Sequence, residues 1–184
     1  MIPRLTFETQ LENEKYILRC PAHVDAPAFY RLVNKEVAYF MSFDYIKDIQ
    51  ESKMVIEKMR KNIHEGEKWD SVIVQKNTHE IIGCISICRY FDDTNAIEFG
   101  YWLGKEHWGK GIMTEIVRFF ANYAFSQMKV RKIIISAQAE NIGSRKIAEK
   151  IGAKLDGLFR EHKSRKGKLV DIAVYSVFEN EIIQ

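Results

Sequence analysis

GKEHWGKGIMTE, Gly104 to Glu115, follows the apolar run AIEFGYWL (Ala96–Leu103) and leads into a stretch with helical periodicity. A strand, a glycine-rich turn and a helix start, in that order, build an anion site. Glycine lets the backbone approach a ligand, and the N–H groups of the first helical turn have no intrahelical acceptor and point at it. A nucleotide P-loop reads GxxxxGK followed by Ser or Thr. Gly104–Lys110 supplies GKEHWGK, but Gly111 stands where the magnesium-binding hydroxyl belongs. The neighbouring apolar run IIIS also continues into Ala137, Gln138 and Ala139, where a P-loop enzyme needs an Asp. The dinucleotide fingerprint GxGxxG starts with Gly109 and Gly111, then meets Thr114 at its third glycine, and it sits late in the chain. A bare turn with a helix cap explains Thr114 and one glycine, and explains less easily two glycines flanking Lys110.

Outward from the loop, Met113, Val117, Phe120 and Ala124 fall on one helical stripe and Ile116, Phe119 and Tyr123 on the next, which predicts a broadly buried helix over Thr114 to Gln127. KIIISA (Lys132–Ala137) is a compact apolar run suited to a central strand covered on both faces. NIGSRKIAEKI (Asn141–Ile151) reads as a short helix stopped by Gly152, and the tail as a hairpin of Leu155–His162 with Leu169–Phe178, turning at SRKGK. Upstream, YILR (Tyr16–Arg19) suits a strand and Asp25–Asn34 a helix. Gln50–Glu65 suits a second helix, with Met54, Val55, Lys58, Met59 and Ile63 setting its pattern. SVIVQ (Ser71–Gln75) and IIGCISIC (Ile81–Cys88) form a hairpin. The order β, α, α, β, β, β, α, β, α, β, β predicts an α/β fold around a mixed central sheet of about seven strands with about four helices.

The 184 residues suit one domain, 1–184. Composition is that of an ordinary globular chain, and a net charge of +3 is far below that of a dedicated nucleic-acid binder, so no DNA partner is expected. No window approaches a membrane span and the first residues lack a signal-peptide pattern, so the expectation is a cytoplasmic protein with no membrane association. Cys20, Cys84 and Cys88 lack zinc spacing, and none of the five histidines falls in a metal pattern, so no metal is expected. Cys84 and Cys88, four apart in a strand, share a face and fill core.

GYWLGKEHWGKGIMTE, the strand KIIISAQAEN, the segment NIGSRKIAEKIGAKLDGLFRE and the ending KLVDIAVYSV together resemble the GNAT superfamily of acyl-CoA-dependent acetyltransferases. The likeness is nearest its RimJ/RimL-like branch, enzymes that acetylate the amino termini of ribosomal proteins. It covers most of the chain and is densest from Glu98 to Tyr175. The family's pyrophosphate loop reads Gln or Arg, two residues, Gly, one residue, Gly or Ala, and falls on Trp108, Gly109, Lys110, Gly111, Ile112 and Met113. Trp108 and Met113 depart from the pattern, and Trp108 removes a side-chain hydrogen bond that Gln or Arg would offer.

The resemblance implies acetyl-CoA as co-substrate, held by the N–H groups of Gly109 to Thr114 with the Lys110 ammonium nearby. It implies a sheet splayed between the fourth and fifth predicted strands, with the pantetheine arm in the wedge, and direct attack by a primary amine without an acyl-enzyme. An N–H near Leu103 would stabilise the oxyanion. Glu98 matches an acidic position of the branch and is the candidate base, since only the neutral amine attacks. An edge position facing solvent would also explain a Glu there. Ser144, with Asn141 in the family's NxxS element, is the candidate acid at sulfur, and Asn141 a candidate contact to coenzyme A. Helix capping explains the same pair. Tyr101 and Trp102 are candidates to line the wedge, or simply core. The acceptor is open among a ribosomal-protein amino terminus, a polyamine, an amino acid and an amine-bearing antibiotic. A non-catalytic acyl-CoA-binding module is the rival from another class. Arg160, Lys163, Arg165, Lys166 and Lys168 make a basic hairpin, in the simplest reading a solvated turn, and a homodimer is left open.

Overall fold

The computed structural model describes residues 5–163 and 167–183. The strands are β1 (Gln10–Glu12), β2 (Tyr16–Arg19), β3 (Trp69–Gln75), β4 (Glu80–Phe91), β5 (Ala96–Leu103), β6 (Lys132–Gln138), β7 (Lys154–Lys163) and β8 (Leu169–Val177). The helices are α1 (Ala26–Leu32), α2 (Lys35–Ala38), α3 (Ile49–His64), α4 (Ile112–Tyr123) and α5 (Ile142–Lys150). The strands form one sheet in the order β1-β2-β3-β4-β5-β6-β8-β7. Every neighbour pair is antiparallel except β5 with β6, the pair joined through α4. β1 and the single turn α2 go beyond the predicted seven strands and four helices; three or four residues are too few for a periodicity to show.

Alternating side chains on the sheet feed two cores. One face packs Ile97, Phe99, Leu103, Ile133 and Ile135 against Met113, Ile116, Val117 and Phe120 of α4 and Ala148 of α5. The Phe99 and Phe120 rings stack at 4.8 Å, with Trp69 tilted onto Phe120 at 5.4 Å. On the opposite face Val72, Val74 and Cys84 pack against Phe29 and Leu32 of α1 and Ile56 of α3. The phase of α3 differs from the expected one: Met54 is 64% exposed and Val55 also faces solvent, while Ser52, Ile56 and Ile63 face inward. Ser52 explains the shift, because its hydroxyl donates to the Ala26 carbonyl at 2.6 Å, and a buried polar residue with a partner is invisible to a hydrophobic pattern.

β5 and β6 pair only from Ala96↔Lys132 to Phe99↔Ile135. Beyond that level β5 keeps its pairing with β4 as far as Leu103, and β6 keeps its pairing with β8 as far as Gln138, so a wedge opens between Gly100–Leu103 and Ser136–Gln138. The irregularity in β4 between Ile87 and Arg89 lies at the same level, opposite Phe99 and Glu98. An extra residue there raises local twist and bends β4, and β5 follows β4 away from β6. β6 is not covered on both faces as its apolar run suggests. Ile133 and Ile135 are buried, Ile134 is half-buried and Ser136 exposed, and among the described residues none of β6 belongs to the core formed with α1 and α3.

Asp70 on β3 is nearly buried on that side, where the Ser86 hydroxyl donates to its Oδ1 at 2.6 Å. Burial raises its carboxyl above the ordinary range, and the hydrogen bond from Ser86 and the Lys68 charge only partly oppose this. A raised folded-state value means the contribution to stability is complete below the unfolded value and is lost as pH rises through the folded one. Asp70→Asn, which keeps an acceptor for Ser86, should therefore gain melting temperature relative to the wild type as pH goes from about 4 to about 8. Thermal scans across that range check it; a difference independent of pH would refute it.

Candidate active site

The anion loop is made by two left-handed glycines. Gly109 has φ 72° and Gly111 φ 76°, and neither position has any atom within 4 Å of an added Cβ, so conformation and not space demands glycine. Gly111 is the N-cap of α4 and the helix offers no side-chain cap. The first N–H with an acceptor is Glu115, bonded to the Gly111 carbonyl, and Trp108 on the other side bonds to Lys105. Among the described residues the N–H groups of Gly109, Lys110, Gly111, Ile112, Met113 and Thr114 have no acceptor. Six adjacent bare donors at the positive end of a helix fit a diphosphate. α4 begins at Ile112, two residues before the expected start, because the left-handed Gly111 rather than Thr114 provides the entry.

The side chains around this loop do other things. Met113 is buried in the core, so only its N–H is offered. The Trp108 indole donates to the Leu103 carbonyl at 2.9 Å, which pins the loop to the end of β5. Lys110 is exposed and makes no ion pair among the described residues. Lys105 instead pairs with Glu36, tying the turn after β5 to α2.

The N–H of Gly104 bonds to the Ile82 carbonyl, which sets the phase of the β4/β5 ladder. By alternation, even-numbered residues of β5 face β4 and the N–H groups of Tyr101 and Leu103 face the opened wedge, where β6 no longer meets them. An oxyanion donor near Leu103 is therefore available in the main chain.

The predicted side chains divide between the two faces. Tyr101 lies on the α4 side, packed against that core, with its phenol oxygen 3.1 Å from Ser144 Oγ. Trp102 lies on the other side, edge-on to Phe29 at 5.6 Å, and so away from Tyr101 and the loop. Glu98 shares the face of Trp102, half-buried and paired with Ile134, one residue before the last β5/β6 pair. Arg89 is opposite it on β4, but its guanidinium lies over the Phe91 ring, and Glu98 has no ion pair among the described residues. Asn141 caps α5, its Oδ1 accepting from Ser144 N–H at 3.1 Å, as the capping reading holds; its amide nitrogen is not used in the cap.

Gln138, at the end of β6, donates to the Phe40 carbonyl and links the wedge to the segment after α2; nothing in a strand-terminal Gln signals that role. Cys88 lies over Gly100, where an added Cβ would meet its sulfur at 2.5 Å, so a larger residue there would have to displace the Cys88 side chain. Of the basic hairpin, Arg160 and Lys168 are exposed; Arg165, Lys166 and the Lys163 side chain lie outside the described residues. No cluster of three or more His, Cys, Asp or Glu with metal-binding geometry occurs among the described residues, and no helix there is long and apolar enough to cross a membrane.

An acetyltransferase (GNAT) domain model matches residues 15–154. An uncharacterized N-acetyltransferase, p20, of Bacillus licheniformis is 28% identical over 146 residues, 79% of this chain and 82% of that protein. A ribosomal-protein-serine acetyltransferase of Escherichia coli is 21% identical over 92% of this chain and 96% of its own. The microcin C7 self-immunity acetyltransferase MccE, solved in complex with acetyl-CoA and AMP, superposes with a TM-score of 0.81 at 23% identity, over 90% of this chain and 93% of its own. The family match takes in β2 to the start of β7, including the wedge and the glycine loop. The chain belongs to the GNAT acetyltransferase family, and is by that membership an acetyl-CoA-dependent N-acetyltransferase.

Proposed function

We propose that this chain transfers the acetyl group of acetyl-CoA to the α-amine of a protein amino terminus, in a ternary complex and by direct attack. The observation that carries the reading is the row of bare N–H groups from Gly109 to Thr114, beside a wedge whose β5 edge presents two more. The loop would hold the pyrophosphate, with Lys110 adding a mobile positive charge, and the Asn141 amide nitrogen would add a donor. The thioester supplies an activated carbonyl and a thiolate leaving group.

The amine would reach the wedge from the face of Glu98 and Trp102, opposite α4. Glu98 would accept the proton that the amine must lose, through a water. The nitrogen lone pair forms the C–N bond while the carbonyl pair moves to oxygen, where the N–H of Leu103 meets it. The C–S bond then breaks with its pair on sulfur, beside Ser144; of the two protons an ammonium loses in becoming an amide, one passes through Glu98 to solvent and the other ends on sulfur, which leaves as the thiol. A protein terminus is favoured over a small amine because, among the described residues, none of β6, β8 and β7 joins the core with α1 and α3, and Ser136 of β6 is exposed and Ile172 and Val174 of β8 half-buried beside the wedge. The similarity to a ribosomal-protein acetyltransferase along nearly the whole chain supports a ribosomal protein as that substrate.

Thermal unfolding tests donor binding. Acetyl-CoA at about 100 times its Kd stabilises the folded state by about 2.7 kcal/mol, which for a chain of this size is a rise of about 5 to 10 °C. Magnesium-ATP should give none, since Gly111 stands where a P-loop hydroxyl would be. An absent shift with acetyl-CoA, or an equal one with ATP, defeats the reading. The acceptor is then sought by mass spectrometry of ribosomal proteins incubated with labelled acetyl-CoA.

A further inference from the structure

Among the described residues one side-chain contact spans the wedge on its α4 side. Tyr101 stands on β5 beyond Phe99, where β6 has parted, and Ser144 stands in the first turn of α5, which follows β6. Their hydroxyl oxygens are 3.1 Å apart, and the phenol is 3.3 Å from the Ser144 carbonyl. The serine oxygen is the nearer of the two acceptors. The backbone of Ser144 is already fixed by the Asn141 cap. What stays free is the direction of its O–H, a rotor that turns to suit its neighbours.

We infer that Tyr101 is a positioning residue: by donating its phenol proton to Ser144 Oγ, it forces the Ser144 O–H to point away from it and toward the sulfur that departs in the wedge. This rests on the acetyl-transfer reading and extends it to a residue outside the assigned acid and base. A tyrosine that only filled core would be replaced equally well by phenylalanine; here the hydroxyl has Ser144 as its side-chain partner. Burial pushes the phenol up to about 12, so it keeps its proton throughout the neutral range. Tyr101 neither ionises nor passes a proton on. Ser144 donates a hydrogen bond to the sulfur as the C–S electron pair moves onto it.

The consequence is readable at equilibrium, without an acceptor. A hydrogen bond to the charged form lowers a pKa, so the thiol of coenzyme A bound to the wild type should titrate about one unit below that of free coenzyme A, followed by thiolate absorbance. Ser144→Ala should abolish the difference. Tyr101→Phe should remove most of it, and the double variant should match Ser144→Ala, because Tyr101 acts only through Ser144. In turnover with a serine-initiated peptide, Tyr101→Phe should lower kcat about tenfold and leave KM for acetyl-CoA within about twofold. Additive effects of the two substitutions, a change in KM alone, or a bound thiol that titrates as free coenzyme A would each overturn the inference. None of these outcomes touches the acetyl-CoA melting shift, which reports on the donor site itself. Tyr101→Met, which fills much of the same space without a hydroxyl, repeats the titration if the phenylalanine variant does not fold.

Discussion

Gly111→Val is expected to weaken acetyl-CoA binding by about 10²-fold or more while leaving a folded protein. The fold survives because an added Cβ at this position meets no atom within 4 Å. The cost lies in the backbone. At φ 76° a β-branched residue is strained by about 1–2 kcal/mol, and the chain relieves this by leaving the left-handed region. Doing so turns the N–H groups around Gly111 away from their common focus. A hydrogen bond to a charged group is worth about 1.5–3 kcal/mol, so losing two gives at least about 3 kcal/mol, or about 10²-fold in Kd. Lys110→Ala sets the scale on the other side. Its ammonium is exposed, and a screened surface charge is worth at most about 1 kcal/mol, so its loss should cost only severalfold. Calorimetric titration of the two variants decides whether main chain or side chain holds the diphosphate; equal losses would put the weight on the lysine.

The same contrast explains how much of the site the sequence discloses. Gly109 and Gly111 are legible because a left-handed backbone demands one residue type, and the apolar stripe of α4 is legible because burial demands periodicity. The wedge is different. It arises where two pairings end, Phe99↔Ile135, and where β4 carries an extra residue near Cys88, a property of register that no single strand pattern encodes. The open face of β6 is hidden for a related reason: IIIS looks like a strand buried on both sides, and only the partial exposure of Ile134 and the exposure of Ser136, outside the core formed with α1 and α3, shows otherwise. The partition of Tyr101 and Trp102 between faces follows from period-two alternation and is implicit in GYWL. Which face meets Ser144 is set by the placement of α5 after β6, a long-range outcome. Trp108 departs from the family loop; its indole bonds to the Leu103 carbonyl, a contact five residues away that anchors the loop and that no sequence pattern announces.

Glu98→Gln is expected to lower kcat for amine acetylation by about 10²-fold, with little change in the affinity for acetyl-CoA. Two accounts of this carboxylate compete. As a structural residue it would pair with Arg89 across the strand, and removing its charge would cost at most about 1 kcal/mol of stability, since Arg89 is exposed. The arrangement argues against that account, because Arg89 is turned over the Phe91 ring and no ion pair to Glu98 occurs among the described residues. A half-buried carboxylate without an ion-pair partner among the described residues, on the face of Trp102 and one pair before the wedge opens, is within reach of an amine entering there. Glutamine keeps the shape and the hydrogen-bonding reach and removes only the basicity. The loss should therefore shrink as pH rises toward the amine's own pKa of about 8 and the neutral nucleophile becomes abundant without help. A structural residue would show a loss constant with pH, together with a lower melting temperature. Unchanged kcat in the variant, with acetyl-CoA still bound, would remove Glu98 from the chemistry and leave proton removal to solvent.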